Sequence, residues 1–525
     1  MKIYTSNKMD SVDHLIFVIF DSCSLGSGFL YAITFFSVLW LFLRWRTAKP
    51  NFARGPSFLM SHLLLLKAAL TRRSAPQLLF TDIAKTYGPI YSLWIGFNFV
   101  TVVTDLELSR EALIRNPDSF AHRRNAAVLE RIFQKGGGII SESGNPWKER
   151  RRFGMNAMRI FGAGKRRLEP RINEEANFLA QSFADHCGQP FDPIPLVINA
   201  VSNIVAQISL GQRFEYTDTS FQAVVRIMRD LTEVGILEVG NVFPALADTF
   251  LYQRKRSDFR QLKGFIEEQV RIHRATLKAN DPRDLIDLYL QEADKESTDF
   301  SEKDLDSEPV FTESNVWRFI QDIFFAGTET TALSLLWILH LVTMHPEIQE
   351  KVQVEIDDVI GRARQPTTSD MVSMPYTQAT ILEVIRHRPV IPVYHRESPP
   401  DGNGKFAQYT VPRNSYFLIN VYGMNHDPKV FPDPDMIRPE RFLTVDKNGK
   451  RIFSGKGQLL MNFGSGKRAC VGESMARTEL FLFVVNLFQR FTFTFSAEDG
   501  PPNLEGVPGR IWSPLPFRLC AETRL

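Results

Sequence analysis

Cys470 stands in the run Phe463-Gly-Ser-Gly-Lys-Arg-Ala-Cys-Val-Gly472, a thiol set among glycines and beside Lys467 and Arg468. No second Cys or His lies at a spacing that would complete a tetrahedral zinc site. A lone thiolate in an open turn, with positive charge nearby and room for a flat partner, suits axial ligation of a haem iron. Glycines let the backbone lie close against a macrocycle and adopt angles other residues resist. Their amides can point at the sulfur, and Arg468 can pair with a haem propionate.

Three further groups follow the same order of argument. The segment Phe324-Phe-Ala-Gly-Thr-Glu-Thr-Thr331 places a carboxylate, a glycine and three threonines in the middle of an apolar stretch. Gly and Thr are poor helix formers, and Thr hydroxyls capture backbone carbonyls and bend a helix. Burying Glu329 costs free energy unless it is paired or protonated. A local opening for a diatomic molecule, served by an acid–hydroxyl pair, would explain that cost. Trp147 and Arg151 are i,i+4 on one helical face, suited to clasp a carboxylate with an indole N–H and a guanidinium. Glu383 and Arg386 share a face in Thr380–Arg386, and Arg441 follows in Pro439-Glu-Arg-Phe442.

These runs resemble the motifs of the cytochrome P450 family. The Cys470 run matches Phe-x-x-Gly-x-Arg-x-Cys-x-Gly at every fixed position. The Glu329 segment matches the oxygen-binding helix (Ala/Gly)-Gly-x-(Asp/Glu)-Thr-Thr. The resemblance implies haem b with Cys470 as thiolate ligand, and a haem pocket that includes Phe463, Arg468, Ala326, Trp147 and Arg151. It also implies a propionate partner at His395 or Arg396, with His395 taken first. By the same match Thr330 would hydrogen-bond bound oxygen and Glu329 would pass protons from solvent. Glu383, Arg386 and Arg441 would form a buried structural network. Lys148, Arg150, Arg152 and Lys467 would form a basic patch on the thiolate side for an acidic flavoprotein reductase. Val390, Ile391 and Val393 would face substrate, with Phe120, Ile132, Phe319, Ile323 and Ala326 as further apolar pocket candidates.

The elements that must position these groups read as mainly helical. Helical patterns run over Asp105–Arg115, Glu169–His186, Val197–Leu210, Phe221–Val234, Ser257–Asn280, Pro346–Ile360, Tyr376–Arg386 and Glu473–Gln489. The central one, Ser314–Met344, is capped by Ser314 and stopped by His345-Pro346. At about 1.5 Å per residue it would run roughly 45 Å, long enough to cross a domain. Short β runs fall at Ile90–Ile95, Phe99–Thr104, Tyr409–Val411, Tyr416–Val421, Phe491–Phe495 and Phe517–Cys520. The fold class is mainly α with small β-sheets, a single large domain with the P450 fold over 57–525, plus an N-terminal transmembrane anchor.

Residues 25–43, LGSGFLYAITFFSVLWLFL, carry no charge and approach the ~20 apolar residues that span a bilayer. Arg44, Arg46, Lys49 and Arg54 follow, whereas Asp10, Asp13 and Asp21 precede. The positive-inside rule then puts the body in the cytosol, with 1–24 on the far side and 44–56 as linker, and the resemblance to microsomal members of the family implies the endoplasmic reticulum membrane, with 1–24 lumenal. Cations after the apolar run, not before it, argue against a cleaved signal. The chain has 525 residues, 44% of them hydrophobic, and 62 Lys+Arg against 59 Asp+Glu, a balance that gives no reason to expect nucleic acid. Its four cysteines, Cys23, Cys187, Cys470 and Cys520, are scattered and suggest no disulfide framework. The segment Gly240–Leu246, with Phe250 and Leu251, could dip into the membrane and admit lipophilic compounds.

The expectation is therefore a haem-thiolate monooxygenase. It would insert one oxygen atom from O2 into a lipophilic molecule (fatty acid, steroid or xenobiotic), with electrons from NADPH through cytochrome P450 reductase and cytochrome b5 as a further donor. A haem-thiolate isomerase or dehydratase of lipid hydroperoxides, and a non-catalytic haem-containing lipid binder, are the competing readings.

Overall fold

The computed structural model describes Thr34 and residues 52–524, apart from 71–74, 124–126, 134–136, 163–167, 233–238, 243, 280, 300–308, 450, 501, 508 and 510. The anchor expected over 25–43 thus lies, save for Thr34, outside the described residues. Contacts separate residues 1–52 from a compact body that begins at Ala53, inside the expected linker.

The body is mainly helical. Its longer elements are α1 (Phe58–Leu70), α2 (Pro76–Tyr87), β1 (Ile90–Ile95), β2 (Asn98–Val103), α3 (Gly144–Phe161), α4 (Leu168–Ala184), α5 (Ile194–Ser209), α6 (Thr219–Thr232), α7 (Gln253–Thr276), α8 (Leu285–Asp299), α9 (Glu313–Met344), α10 (Pro346–Val359), α11 (Pro375–His387), β3 (Val393–Glu397), β4 (Tyr416–Asn420), α12 (Glu473–Arg490), β5 (Phe491–Phe495) and β6 (Leu519–Thr523). The main core lies among α3–α12, with a smaller one under the four-stranded sheet.

α9 organises the rest. It is buried along almost its whole length and packs on α5, α7, α8, α11 and α12. It is the one helix among the described residues long and apolar enough to cross a bilayer, yet it runs through the core of the body. Its start differs from expectation. Thr312 holds the N-cap position and Ser314 lies inside the helix, its hydroxyl 2.9 Å from that of Thr312. The stop at Met344 is as expected, because Pro346 opens α10 and cannot continue α9.

The sheet order is β1-β2-β4-β3, with β2 parallel to β4 and the other neighbours antiparallel. The sequence reading missed β3, which follows Pro389 and Pro392 and looks like loop. Pairing with β4 fixes its register, Arg396 opposite Phe417 and His395 opposite Leu418. The helix expected over Asp105–Arg115 divides into an α-turn at Leu106–Arg110, capped by Asp105, and a wider π-turn at Glu111–Arg115.

The Glu383 network forms as expected and joins α11 to the following loops. Arg386 donates to both Glu383 oxygens at 2.8 and 2.9 Å, and to the carbonyls of Asn425 and Pro434 at 2.8 Å. Arg441 Nε and the Arg438 amide reach Glu383 Oε1 at 3.1 and 2.8 Å. Every member of the triad is buried, so the charges are held by several bonds each rather than by one pair.

Candidate active site

Cys470 is held by its loop. Its amide donates to the Phe463 carbonyl at 2.8 Å, closing the turn. Gly464 and Gly466 take φ of 71° and 69°. A Cβ on Gly466 would come within 1.9 Å of the Leu113 carbonyl oxygen, in the π-turn, so glycine is required there on two counts. The thiol is exposed and opens onto a cavity of about 280 Å3. Burial pushes its pKa up, while the Gly472 amide and Arg151 favour the thiolate.

The cavity lies between the Cys470 loop and α9. Ile323, Ala326, Gly327, Thr330 and Thr331 form one wall, and Phe463, Val471, Met475 and Ala476 the other. Gly327 is where α9 meets α5, and a Cβ there would sit 2.9 Å from Val205 Cγ2. Thr330 Oγ1 donates to the Ala326 carbonyl at 2.6 Å, the hydroxyl-to-backbone capture anticipated for this segment. Glu329 is 1% exposed and lines neither this cavity nor its neighbour.

One end of the cavity is strongly cationic. Arg123, Arg151, Arg396 and Arg468 all line it. Arg151 Nη2 donates to the Ala469 carbonyl at 2.6 Å. Arg468 donates to the carbonyls of Ala121, Ile139 and Glu142 and to Ser143 Oγ, and lies over the Trp147 ring at 3.6 Å. Burial lowers the Arg468 pKa to about 8, helped by repulsion from Arg396 and Arg151. Burial likewise lowers Arg396 to about 10. Trp147 Nε1 and Arg396 Nε have no hydrogen-bond partner among the described residues. Desolvated, mutually repelling guanidiniums with unused N–H groups call for anions. These residues fit a flat dicarboxylate macrocycle, for which Cys470 would supply the metal ligand and these donors the partners of the propionates.

The structure separates His395 from Arg396. Alternation along β3 directs Arg396 into the Cys470 cavity and His395 into a second cavity, about 230 Å3, that abuts the first. Arg123, Ile140, Ala326, Thr330, Ile391 and Tyr394 line both. The second cavity extends past Val393, Asn241 and Leu418 to Ile95 and Asn98 on the β1–β2 hairpin. Val390 lines the Cys470 cavity instead.

Several expectations need correction. Phe120, Ile132 and Phe319 are core residues and line neither cavity. Phe120 packs on Phe406 and Phe417, and Phe319 on Phe153 and Tyr289. Arg150 is no part of a basic patch, because α3 turns it inward to Glu142 and the Val310 carbonyl. Lys148 and Arg152 are exposed, and Lys467 pairs with Asp118. The sequence reading missed Arg123, whose signal was a basic residue just after the apolar Phe120. It also missed Asp322, which accepts from the Ile139 and Ile140 amides at 2.8 Å each and shapes the cavity's edge.

Comparison with known proteins agrees with this geometry. A family model described as Cytochrome P450 matches residues 54–521. Human cytochrome P450 2J2 is 40% identical over 449 residues, 83% of this chain and 85% of that protein. Rat cytochrome P450 2J3 is 38% identical over 461 residues, 86% of this chain and 88% of that one. Human cytochrome P450 2C8 is 35% identical over 455 residues, 84% and 88% respectively.

Proposed function

The chain belongs to the cytochrome P450 family, a monooxygenase with haem b on a cysteine thiolate that acts on lipophilic substrates, and on that premise we propose how its own residues divide the work. Bound haem supplies the activation of O2 and the transfer of one oxygen atom to substrate. Cys470 is the thiolate, steadied by the Gly472 amide. Arg151 and Arg396 would hold the propionates, with Arg468 and Arg123 completing the cationic end and Trp147, which lines neither cavity, added for its unpartnered indole N–H beneath Arg468. Arg396 takes the role first assigned to His395, since it shares the cavity of Cys470.

Ala326 and Thr330 form the shared wall where the reacting carbon would sit. Thr330, its own proton on the Ala326 carbonyl, accepts a hydrogen bond there, and Glu329 lies buried next to it in α9. The apolar residues Ile391, Val393, Leu418 and Ile511 hold the substrate body. Fatty acids, steroids and xenobiotics all suit such a lining.

Electrons would come from NADPH by way of an acidic reductase docking at Lys148 and Arg152 on the thiolate side, with cytochrome b5 able to use the same face. The endoplasmic reticulum membrane is the proposed location, the body on its cytosolic side. Supporting this, Leu59, Met60, Leu63, Leu66 and Leu70 are exposed on α1, Phe97 at the hairpin tip, and Phe250 and Leu251 beyond Asn241. The second cavity runs between these regions, so a lipophilic substrate could pass from bilayer to site.

The observation that carries this reading is a thiol facing α9 across a cavity that four arginines also line. The carbon monoxide difference spectrum of the reduced, full-length protein in membranes tests it. The red-shifted Soret band of thiolate ligation is expected, and its loss in Cys470→Ala. A band typical of histidine ligation would overturn the assignment.

A further inference from the structure

The helix after the Cys470 loop carries a carboxylate that the functions above leave unused. Glu479 lies on α12 just before the apolar run Leu480-Phe-Leu-Phe-Val-Val485, and is 1% exposed. It lines the same cavity as Cys470, Thr330 and Thr331. Its Oε1 has no hydrogen-bond partner among the described residues. Its neighbour across the helix interface is the Thr331 hydroxyl on α9. Burial pushes the carboxyl pKa up to about 8, against the lowering influence of that hydroxyl, so Glu479 holds its proton at neutral pH. Packing alone gives no reason for an acid here, since Leu or Met would fill the space without desolvating a polar group.

The neighbouring hydroxyls are committed elsewhere. Thr330 donates its proton to the Ala326 carbonyl, and Ser334 donates to the Thr330 carbonyl at 2.8 Å. Glu329 lines neither cavity. Glu479 therefore combines a proton with access to the space beside Thr330.

Resting on the monooxygenase reading, we propose that Glu479, acting through the Thr331 hydroxyl, is the positioning acid that delivers protons into the Cys470 cavity. The carboxyl O–H gives its proton to Thr331 Oγ1 while the Thr331 hydroxyl releases its own toward the cavity. Once bulk water has re-entered the cavity after product leaves, a hydronium ion from that water returns a proton to the carboxylate by the reverse path, so each turnover draws its net proton from solvent and Glu479 ends as it began.

Infrared difference spectroscopy of the full-length, haem-loaded protein in H2O and D2O reads the acid without turnover. A protonated-carboxyl C=O stretch that shifts in D2O is expected in wild type and in Glu329→Gln, and is absent in Glu479→Gln. In turnover with reductase, product formed per NADPH consumed should fall by at least roughly tenfold in Glu479→Gln, with haem content and the thiolate spectrum unchanged, and recover in part in Glu479→Asp. Persistence of the band in Glu479→Gln, or its loss with coupling equal to wild type, overturns the proposal and leaves Glu479 a packing group. A wild type that never couples NADPH to product, even with the thiolate band present, overturns the monooxygenase reading and the relay with it.

Discussion

The cationic end of the Cys470 cavity depends on single side chains whose neighbours cannot replace them. Arg396 has an unused Nε, stacks on the Tyr394 ring at 4.7 Å and donates to the His395 carbonyl at 2.9 Å, so its guanidinium is aimed before any anion arrives. A charge-assisted bond of this kind contributes about 1.5–3 kcal/mol. Arg396→Leu should therefore weaken haem retention by about 10- to 100-fold, measured as haem lost to apomyoglobin. His395→Ala should leave retention unchanged and alter substrate KM. The opposite pattern would return the propionate role to His395. Sequence alone left this choice open for a physical reason. Which of two adjacent residues faces a cavity is set by strand phase, and the phase of β3 comes from pairing with β4, more than twenty residues on. The turn at Cys470 and the helix that carries Trp147 and Arg151 were legible because both depend on local geometry. Glu479 gave the same signal as Glu329, a carboxylate abutting an apolar run, but it was not followed.

At the scale of elements, the crossing of α9 and α5 fixes the cavity wall. Gly327 lets the helices meet at Val205. Gly327→Ala gains up to about 1 kcal/mol of helix propensity but overpacks the crossing by about 1–3 kcal/mol, so it should lower the melting temperature. In a Val205→Ala background the same substitution should raise it. Such a sign reversal in a double-mutant cycle assigns the cost to this contact, and equal effects in both backgrounds would place the strain elsewhere. The long helices were readable from apolar periodicity and from the Pro that ends α9. β3 was not, because its partner strand lies far along the chain, and the short π-turn was not, because its local bonds, such as Asn116 N–H to the Glu111 carbonyl, change the winding without changing the apolar pattern.

For the molecule as a whole, the core contains histidines that must stay neutral. Burial lowers His340 to about 4, His426 to about 3 and His387 to about 2, with Arg388 adding to the effect at each. Unfolded histidines titrate near 6.5. A depressed folded pKa contributes stability that is fully present above about pH 6.5 and lost as pH falls through the folded values. The melting temperature should hold above pH 6.5 and decline steadily toward pH 4. His340→Leu, among Trp337, Phe495 and Phe517, should flatten that decline by up to about 3 kcal/mol. A wild-type curve flat between pH 6.5 and 4.5 would show that these imidazoles are not held neutral. The alternation of β3 has a consequence of another kind. Val393 and His395 belong to the second cavity and Arg396 to the first. Inserting or deleting one codon just before this strand would exchange the two sets. In descendants of this gene, point changes at Val393 or His395 can alter what is accepted, whereas length changes there should be purged, because each would also expel the cofactor.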